Sequence, residues 1–214
     1  MDVQIDLRVA ELLASRLCHD LVGPVGAVNN GLELLEDEDG ADMAQDALRL
    51  AADSARRAAT ALQYYRFAYG MAGSRIGGDP GELRQLTANF LANNKIALEW
   101  SVPEPLADTP EDLGKLLLNL VLLGEESLPI GGTLSVAVRN GPGGLEASVA
   151  ASGDHAALRD DIPPVLAHGA GPDDLTPRNV QAYFARLLAR RLGAELSLDT
   201  SGSDCVRFSV AFAS

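Results

Sequence analysis

Cysteine and basic residues are scarce in this sequence of 214 residues. The two cysteines, Cys18 and Cys205, are too few for a disulfide framework. Only 17 Lys and Arg residues oppose 30 Asp and Glu residues, which gives a net charge of -13. Nucleic-acid binding requires clustered positive charge, so we expect no nucleic-acid partner. A small molecule or a protein is the expected partner, although the acidity is also explained by a solvated surface alone.

Long hydrophobic runs and metal-ligand spacing are also missing. The longest apolar run, Leu116–Leu123, is interrupted by Asn119 and is far shorter than the ~20 residues of a membrane span. The acidic start of the sequence lacks the shape of a signal peptide, so we expect a cytoplasmic protein without membrane contact. The histidines and cysteines are dispersed and offer no zinc spacing, and we therefore expect no metal site.

Two parts are predicted along the chain, residues 1–72 and residues 79–214, joined by a segment rich in glycine at residues 73–80. The first part reads as a hairpin of two helices, at about residues 7–35 and 42–69, because apolar residues recur every three or four positions. The stripe of the first helix consists of Leu13, Leu17, Leu21, Val25, Val28, Leu32 and Leu35.

One hairpin cannot cover two such stripes, and pairing two hairpins in a homodimeric four-helix bundle would do so. The alternative is that the hairpin packs on the second part of its own chain. In that part, helices are predicted near residues 81–94, 110–127, 163–167 and 177–192. Strands are predicted near residues 96–102, 133–139, 145–151, 194–199 and 206–212. For the second part of the chain this order predicts an α/β sandwich, in which helices cover one sheet. With the helical hairpin added, we expect the whole chain to be an α+β protein.

His19 is the most informative candidate residue. It lies two residues from Leu17 and from Leu21, about 200° around the helix from the apolar stripe, so we expect it to point outward. A neutral imidazole is a good nucleophile. Asp20 is placed to orient a ring nitrogen or manage its proton, and Arg16, one turn earlier, to meet phosphate oxygens. An ordinary surface histidine among helical charges is the alternative.

Residues on the same helix face as His19 predict where a partner would dock. They are Ser15, Arg16, Val22, Gly23, Gly26 and Asn30. Glycine weakens a helix by about 1 kcal/mol, so the two glycines need a reason. Flexibility around the in-helix Pro24 is one reason, and room for a helix of the partner is the other.

The stretch from His19 to Pro24 resembles the H-box of sensor histidine kinases, in which a histidine precedes an acidic residue and a proline lies five positions later. In many kinases the fourth residue after the histidine is Thr or Asn, which serves phosphatase activity. Here that residue is Gly23, which argues against this activity. The chain as a whole resembles the dimerisation domain and the ATP-binding domain of these kinases.

The kinase nucleotide site is degenerate by this resemblance. The magnesium-binding asparagine falls on Leu123, and the adenine-binding aspartate falls on Ala151. The glycine-rich lid falls on residues 177–182, which contain no glycine. Leucine has no oxygen for Mg²⁺, alanine cannot accept the adenine amine, and a lid without glycine cannot approach phosphates closely.

A hairpin with an H-box joined to a degenerate ATP domain is similar to the ChpT-type histidine phosphotransferases of alphaproteobacteria. The resemblance implies a homodimer in which His19 accepts a phosphoryl group, assisted by Asp20, with no cofactor of its own. The implied partners are the receiver domain of a hybrid histidine kinase, which would supply Mg²⁺, and response regulators. Two other functions stay open, a non-catalytic adaptor that binds receiver domains and a divergent ATPase of the same fold.

The remaining chemically notable residues are interpreted as structural. His155 and His168 are predicted to be surface residues. Cys18 is predicted to be a small packing residue, since neighbouring helix positions do not face one another and it cannot pair with His19. Trp100 is predicted to lie in the core.

Overall fold

The N-terminal part is a pair of long helices in a computed structural model that describes residues 6–36, 41–70, 79–104, 109–141, 144–167 and 170–212. Helix α1 spans Leu7–Glu36 and continues through Pro24, and helix α2 spans Ala41–Ala68. Both bounds agree with the helices predicted from periodicity. Most of the predicted turn at residues 36–40 and of the joint at residues 73–80 lies outside the described residues.

The second part alternates helices with a five-stranded sheet. Its helices are α3 (Pro80–Leu91), α4 (Leu113–Glu126), α5 (Pro163–Leu166) and α6 (Val180–Arg191), with a 3₁₀ helix at Pro172–Asp174. Its strands are β1 (Ile96–Ser101), β2 (Gly132–Gly141), β3 (Gly144–Ser152), β4 (Glu195–Asp199) and β5 (Cys205–Phe212). Helix α6 begins three residues later than predicted, because Thr176 and Asn179 close a turn before it.

The strand order is β1-β2-β3-β5-β4, with β1 parallel to β2 and the other pairs antiparallel. Helices α4 and α6 pack against this sheet, and α4 is buried along nearly its whole length. The other sheet face carries exposed or half-exposed polar side chains such as Glu99, Ser135 and Arg207. The predicted fold class, a helical hairpin followed by a helix-covered sheet, is confirmed.

The hairpin is fixed to the sheet layer through the end of α2. The hydroxyl of Tyr64, which is fully buried, donates to the carbonyl of Leu118 in α4 at 2.8 Å. The buried amide of Asn119 donates to the carbonyl of Ala68 at 2.7 Å and accepts from the amide of Gln181 at 2.9 Å. These bonds satisfy polar groups that would otherwise be costly to bury. This end of the hairpin therefore packs on its own chain, as the alternative to dimerisation predicted.

The distal part of the hairpin keeps an exposed apolar surface. In the single chain Val25 is 50% exposed, Leu32 48% and Leu62 53%. The stripe predicted to be buried is therefore only partly covered within one chain. The predicted four-helix bundle and the domain boundaries stay predictions.

One structural prediction for a single residue is wrong. Cys18 is exposed rather than packed, because its position on α1 lies on the outward side next to His19. Trp100, in the edge strand β1, is half-buried and packs against the core, so its predicted place is confirmed in part. His155 is exposed as predicted, and His168 lies outside the described residues. Within the described residues no helix is long and apolar enough to cross a bilayer.

Gly31 provides a test of the helix pairing, because it lies at a close contact between α1 and α2. A Cβ atom there would lie 2.9 Å from the carbonyl oxygen of Ala47 and 2.9 Å from the Cβ of Ala51. We expect Gly31→Ala to lower the free energy of unfolding by about 1–3 kcal/mol, since a helix must shift. Gly26 has no atom within 4 Å of such a Cβ, so Gly26→Ala should raise stability by up to about 1 kcal/mol. Equal urea midpoints for the two variants would contradict this packing.

Candidate functional site

His19 projects from the middle of α1 into solvent, as predicted. Its side chain is 87% exposed, and Nδ1 lies 3.3 Å from Oδ1 of Asp20. A carboxylate at this distance can accept the Nδ1 proton, which leaves Nε2 with its lone pair on the exposed side of the ring. The geometry therefore brings the two predicted catalytic residues together.

Asp20 is held by side chains from two helices. Its Oδ2 accepts a hydrogen bond from the hydroxyl of Tyr65 in α2 at 2.9 Å. The Nε of Arg16, one turn earlier in α1, lies 3.8 Å from the same oxygen. Pro24 weakens the helix backbone at the same point, because it has no N–H to donate to the carbonyl of Asp20 four residues earlier. Asp20 is thus fixed by its side chain at a point where the helix backbone is weakened.

Arg16 connects this helix to the sheet layer. Its guanidinium forms an ion pair with Glu126 at the end of α4 and is only 12% exposed. Burial alone would lower the pKa of Arg16, but Glu126, Tyr69 and Asp20 together outweigh burial, and the pKa of Arg16 is raised. The guanidinium is turned toward Glu126 rather than toward the exposed ring of His19. Its predicted contact with phosphate stays a prediction, and the ion pair is its observed role.

Glu125 is a second carboxylate next to this pair. It accepts a hydrogen bond from the side-chain amide of Asn94 at 2.9 Å. Burial, followed by the repulsion of Glu126, raises the pKa of Glu125 to about 7. Asp20, Glu125 and Glu126 therefore share one buried cation, Arg16, and not all of their negative charge is compensated.

A cleft of about 970 Å³ opens between α1 and the sheet layer. Its lining includes Ser15, Arg16, His19 and Asp20 from α1, and Arg159 and residues 176–178 from the second part of the chain. The guanidinium of Arg159 is bound by Asp161 at 2.9 Å and donates to the carbonyl of Arg178 at 2.7 Å. A domain that reached His19 would therefore meet surface from both parts of the chain.

The predicted docking face is open. Ser15, Val22, Gly23 and Asn30 are exposed, Gly26 is half-exposed, and neither glycine would bring a Cβ within 4 Å of another atom. Crowding inside this chain therefore does not explain the two glycines. Of this set, only Ser15 and Arg16 line the cleft, whereas the others continue along the outer face of α1.

Most of the positions to which the resemblance assigns nucleotide ligands are packed into the core, whereas residues 177 and 178 of the predicted lid are exposed. Leu123 is 1% exposed and Ala151 is fully buried. Residues 180–182 at the start of α6 are also buried, and Gln181 accepts a hydrogen bond from the hydroxyl of Tyr69. Among the described residues there is no group of three or more His, Cys, Asp and Glu side chains that could hold a metal ion.

Sequence reasoning missed Tyr65, Glu126 and Arg159 as parts of this site. The ring of Tyr65 packs in the core, as its aromatic character suggests, but its hydroxyl reaches Asp20. Arg16 and Glu126 are 110 positions apart, and no local pattern links them. The only feature of the sequence that indicates this part of the site is the pair of adjacent acids, Glu125 and Glu126, at the end of a mostly apolar helix.

The raised pKa of Glu125 generates a test. A carboxyl group whose pKa rises on folding from its ordinary 4.5 to about 7 stabilises the fold fully below pH 4.5 and loses that contribution as the pH rises through 7. Glu125→Gln keeps an acceptor for Asn94 without the charge. We expect the variant to gain stability relative to wild type between pH 5 and pH 8, on the order of 1–3 kcal/mol.

Urea unfolding at a series of pH values measures this difference. Glu146→Gln, which removes an exposed carboxylate on β3, serves as the control and should follow the wild type. A constant difference between Glu125→Gln and wild type across the pH range would show that Glu125 does not hold a proton in the folded state.

Comparisons with known proteins agree over most of the chain. A family model described as the histidine phosphotransferase C-terminal domain matches residues 80–204. Protein phosphotransferase ChpT of Brucella abortus (strain 2308) is 38% identical over 205 residues, which cover 94% of each chain. A solved structure of a bacterial phosphotransferase matches with a TM-score of 0.81 and 32% identity, over 98% of both chains.

A nucleotide-free catalytic domain of the histidine kinase ThkA matches with a TM-score of 0.49 and 14% identity, over 63% of this chain and 90% of that chain. The family model spans more than half of the present chain, and the Brucella relative aligns with nearly all of it. The chain therefore belongs to the histidine phosphotransferase family that its sequence resembles.

Proposed function

We propose that this protein relays phosphoryl groups through His19 in a phosphorelay. It accepts the group from an aspartyl phosphate of a receiver domain and passes it to the receiver domains of response regulators in the cytoplasm. The observation that carries this proposal is the exposed imidazole of His19 with Nδ1 3.3 Å from the carboxylate of Asp20. The family and the similarity to a phosphotransferase support it.

The chemistry follows from the geometry at His19. With Nδ1 still protonated and hydrogen-bonded to the carboxylate of Asp20, the lone pair on Nε2 attacks the phosphorus of the aspartyl phosphate. The N–P bond forms, the P–O bond to the acyl oxygen breaks, and the aspartate of the receiver leaves as a carboxylate. The positive charge that develops on the ring is stabilised by Asp20. Transfer to the next receiver is the reverse reaction.

The Mg²⁺ for this reaction is assigned to the partner. Phosphoryl transfer needs cation stabilisation of the phosphate oxygens. On this chain the carboxylates next to His19 are already engaged, Asp20 by Tyr65 and Glu126 by Arg16. The receiver domain is the expected source of the metal, and this chain supplies the nucleophile and its orientation.

We also propose that the relay does not use ATP. Leu123 and Ala151 lie in the core where a kinase would present an asparagine and an aspartate, and both are buried. Apolar side chains at these positions fill the space with core packing and offer no polar group to a nucleotide. The sheet layer then serves as the second wall of the cleft at His19.

Docking is proposed on the outer face of α1 and in the cleft. The exposed Gly23 and Gly26 allow a partner helix to approach the α1 backbone closely. The cleft beside His19 is also lined by Arg178 and by Arg159, which is paired with Asp161. The receiver is expected to present acidic side chains around its aspartate, which suits these cations.

Label transfer without nucleotide tests the function. We expect a receiver domain carrying a ³²P-aspartyl phosphate to label this protein in the absence of ATP, with acid-labile and base-stable label. His19→Ala should abolish labelling while unfolding at the wild-type urea concentration, because His19 is exposed and packs on nothing. Label that persists in this variant would exclude His19 as the acceptor, and a wild type that binds the receiver without labelling would make the protein an adaptor.

The same assay separates docking from chemistry. Gly26→Leu places a large side chain on the open face, so labelling by the receiver should fall at least tenfold. A small phosphoramidate needs no docking surface and should label this variant at the wild-type rate. Equal loss with both donors, or no loss with the receiver, would place the docking surface elsewhere.

Homodimerisation through the hairpin is the remaining proposal. The half-exposed Leu32 and Leu62 would be covered by a second hairpin in a four-helix bundle. Light scattering should show a dimer for wild type and a monomer or aggregate for Leu32→Asp, because a buried unpaired charge costs several kcal/mol. Ile130→Asp, at an exposed apolar residue outside the hairpin, should remain dimeric. A wild-type protein that is monomeric at micromolar concentration would contradict this proposal.

A further inference from the structure

Tyr65, on α2, is linked to His19 through the carboxylate of Asp20. We propose that Tyr65 is a positioning residue for phosphotransfer, because its hydroxyl holds one oxygen of Asp20 so that the other oxygen faces Nδ1 of His19. This inference rests on the proposed function and deepens it, since it names a residue outside the H-box that sets the state of the nucleophile.

The geometry is a chain of three groups. The hydroxyl of Tyr65 donates to Oδ2 of Asp20 at 2.9 Å, and Oδ1 of Asp20 lies 3.3 Å from Nδ1 of His19. His19 is 87% exposed, so the ring has no packing of its own to orient it. Asp20 is 28% exposed and can rotate unless its second oxygen is bound. The orientation of the ring therefore depends on what holds Oδ2.

Arg16 competes with Tyr65 for that oxygen. The Nε of Arg16 is buried, and within the described part of the chain it has no hydrogen-bond partner. It lies 3.8 Å from Oδ2 of Asp20, too far for a hydrogen bond. A buried unpaired N–H is costly, so a free Asp20 would gain by turning toward it. That rotation would carry Oδ1 away from His19, and the Tyr65 hydroxyl opposes it.

Tyr65 is suited to this task because its ring is fixed. It is 8% exposed and packs edge-on against Tyr64, with ring centroids 6.5 Å apart, and against Phe90 at 6.3 Å. Burial, and then the negative charge of Asp20, raise the pKa of Tyr65. The hydroxyl thus keeps its proton and remains a donor throughout the pH range in which the relay works.

The consequence is a preferred tautomer of His19. A carboxylate that accepts from Nδ1 stabilises the tautomer with the proton on Nδ1 and the lone pair on Nε2. An isolated imidazole side chain favours the opposite tautomer in water. The position of the proton in the neutral ring therefore reports whether Asp20 is held in place, before any phosphoryl group is present.

The experiment compares Tyr65→Phe with Tyr64→Phe in the full chain. The hydroxyl of Tyr64 is also buried, but it donates to the carbonyl of Leu118 and not to Asp20. Nitrogen NMR of ¹⁵N-histidine-labelled protein, at a pH where the rings are neutral, measures the tautomer of His19, whose signals are identified by their loss in His19→Ala. The rate of labelling by phosphoramidate is measured on the same samples, at a temperature where all variants are folded.

For Tyr65→Phe we expect a shift of His19 toward the Nε2–H tautomer and labelling slower by about tenfold, the value of one hydrogen bond to a charged group. For Tyr64→Phe we expect lower stability with the wild-type tautomer and rate. A Tyr65→Phe protein that matches wild type in the tautomer overturns the inference, whatever its rate. Equal changes in both variants also overturn it, since general loosening of α2 would then explain them.

The tautomer measurement is independent of phosphotransfer. If wild-type His19 takes no label from any donor but shows the Nδ1–H tautomer and loses it in Tyr65→Phe, the proposed function fails and the positioning by Tyr65 stands. If wild type is labelled and the tautomer does not respond to Tyr65→Phe, the function stands and the positioning fails.

Discussion

The ion pair between Arg16 and Glu126 is the contact on which the arrangement of the site depends. It joins the helix that carries His19 to the end of α4, and so to the sheet layer. Arg16 is also the buried cation next to Asp20, Glu125 and Glu126, and without it three carboxylates would repel one another in one wall of the cleft. An isolated buried ion pair contributes little to stability, but breaking one by removing a partner is costly because it leaves a buried charge. Together with the buried bonds of Tyr64 and Asn119, this contact joins the hairpin to the sheet layer beside the cleft at His19.

The sheet layer supports the hairpin through buried polar contacts and apolar packing. The side-chain amide of Asn119 bonds to the carbonyl of Ala68 and to Gln181, so it connects α2, α4 and α6. Leu123 and Ala151, both buried, add apolar packing to the same layer. The carbonyl of Leu118 accepts the hydroxyl of Tyr64, which ties the end of the hairpin to α4. The hairpin and the sheet layer are therefore joined by contacts among buried groups of this chain.

The sequence predicted most elements of the fold and the centre of the site, and it failed where contacts join distant segments. The period of the apolar residues placed His19 outward, and adjacency placed Asp20 beside it. The same period does not fix the rotation of α2 against α1, and that rotation decides that the hydroxyl of Tyr65 reaches Asp20. The exposure of Cys18 was predicted wrongly for a related reason. Cys18 lies on the open side of α1 beside His19, and its chemical type does not reveal this.

The placement of charge bears on how such an acidic protein could dock the acidic receiver that we propose as its partner. The net charge of -13 would repel at long range a receiver whose phosphorylated pocket is also negative. The cleft beside His19, however, is lined by Arg159 and Arg178, of which Arg159 is already paired with Asp161. Repulsion at a distance is screened within about 8 Å at physiological ionic strength, whereas short contacts with the arginines are screened much less. The balance favours partners that place their acidic groups against these two residues and disfavours other acidic surfaces. Specificity then comes from the position of a few cations rather than from the sign of the whole protein.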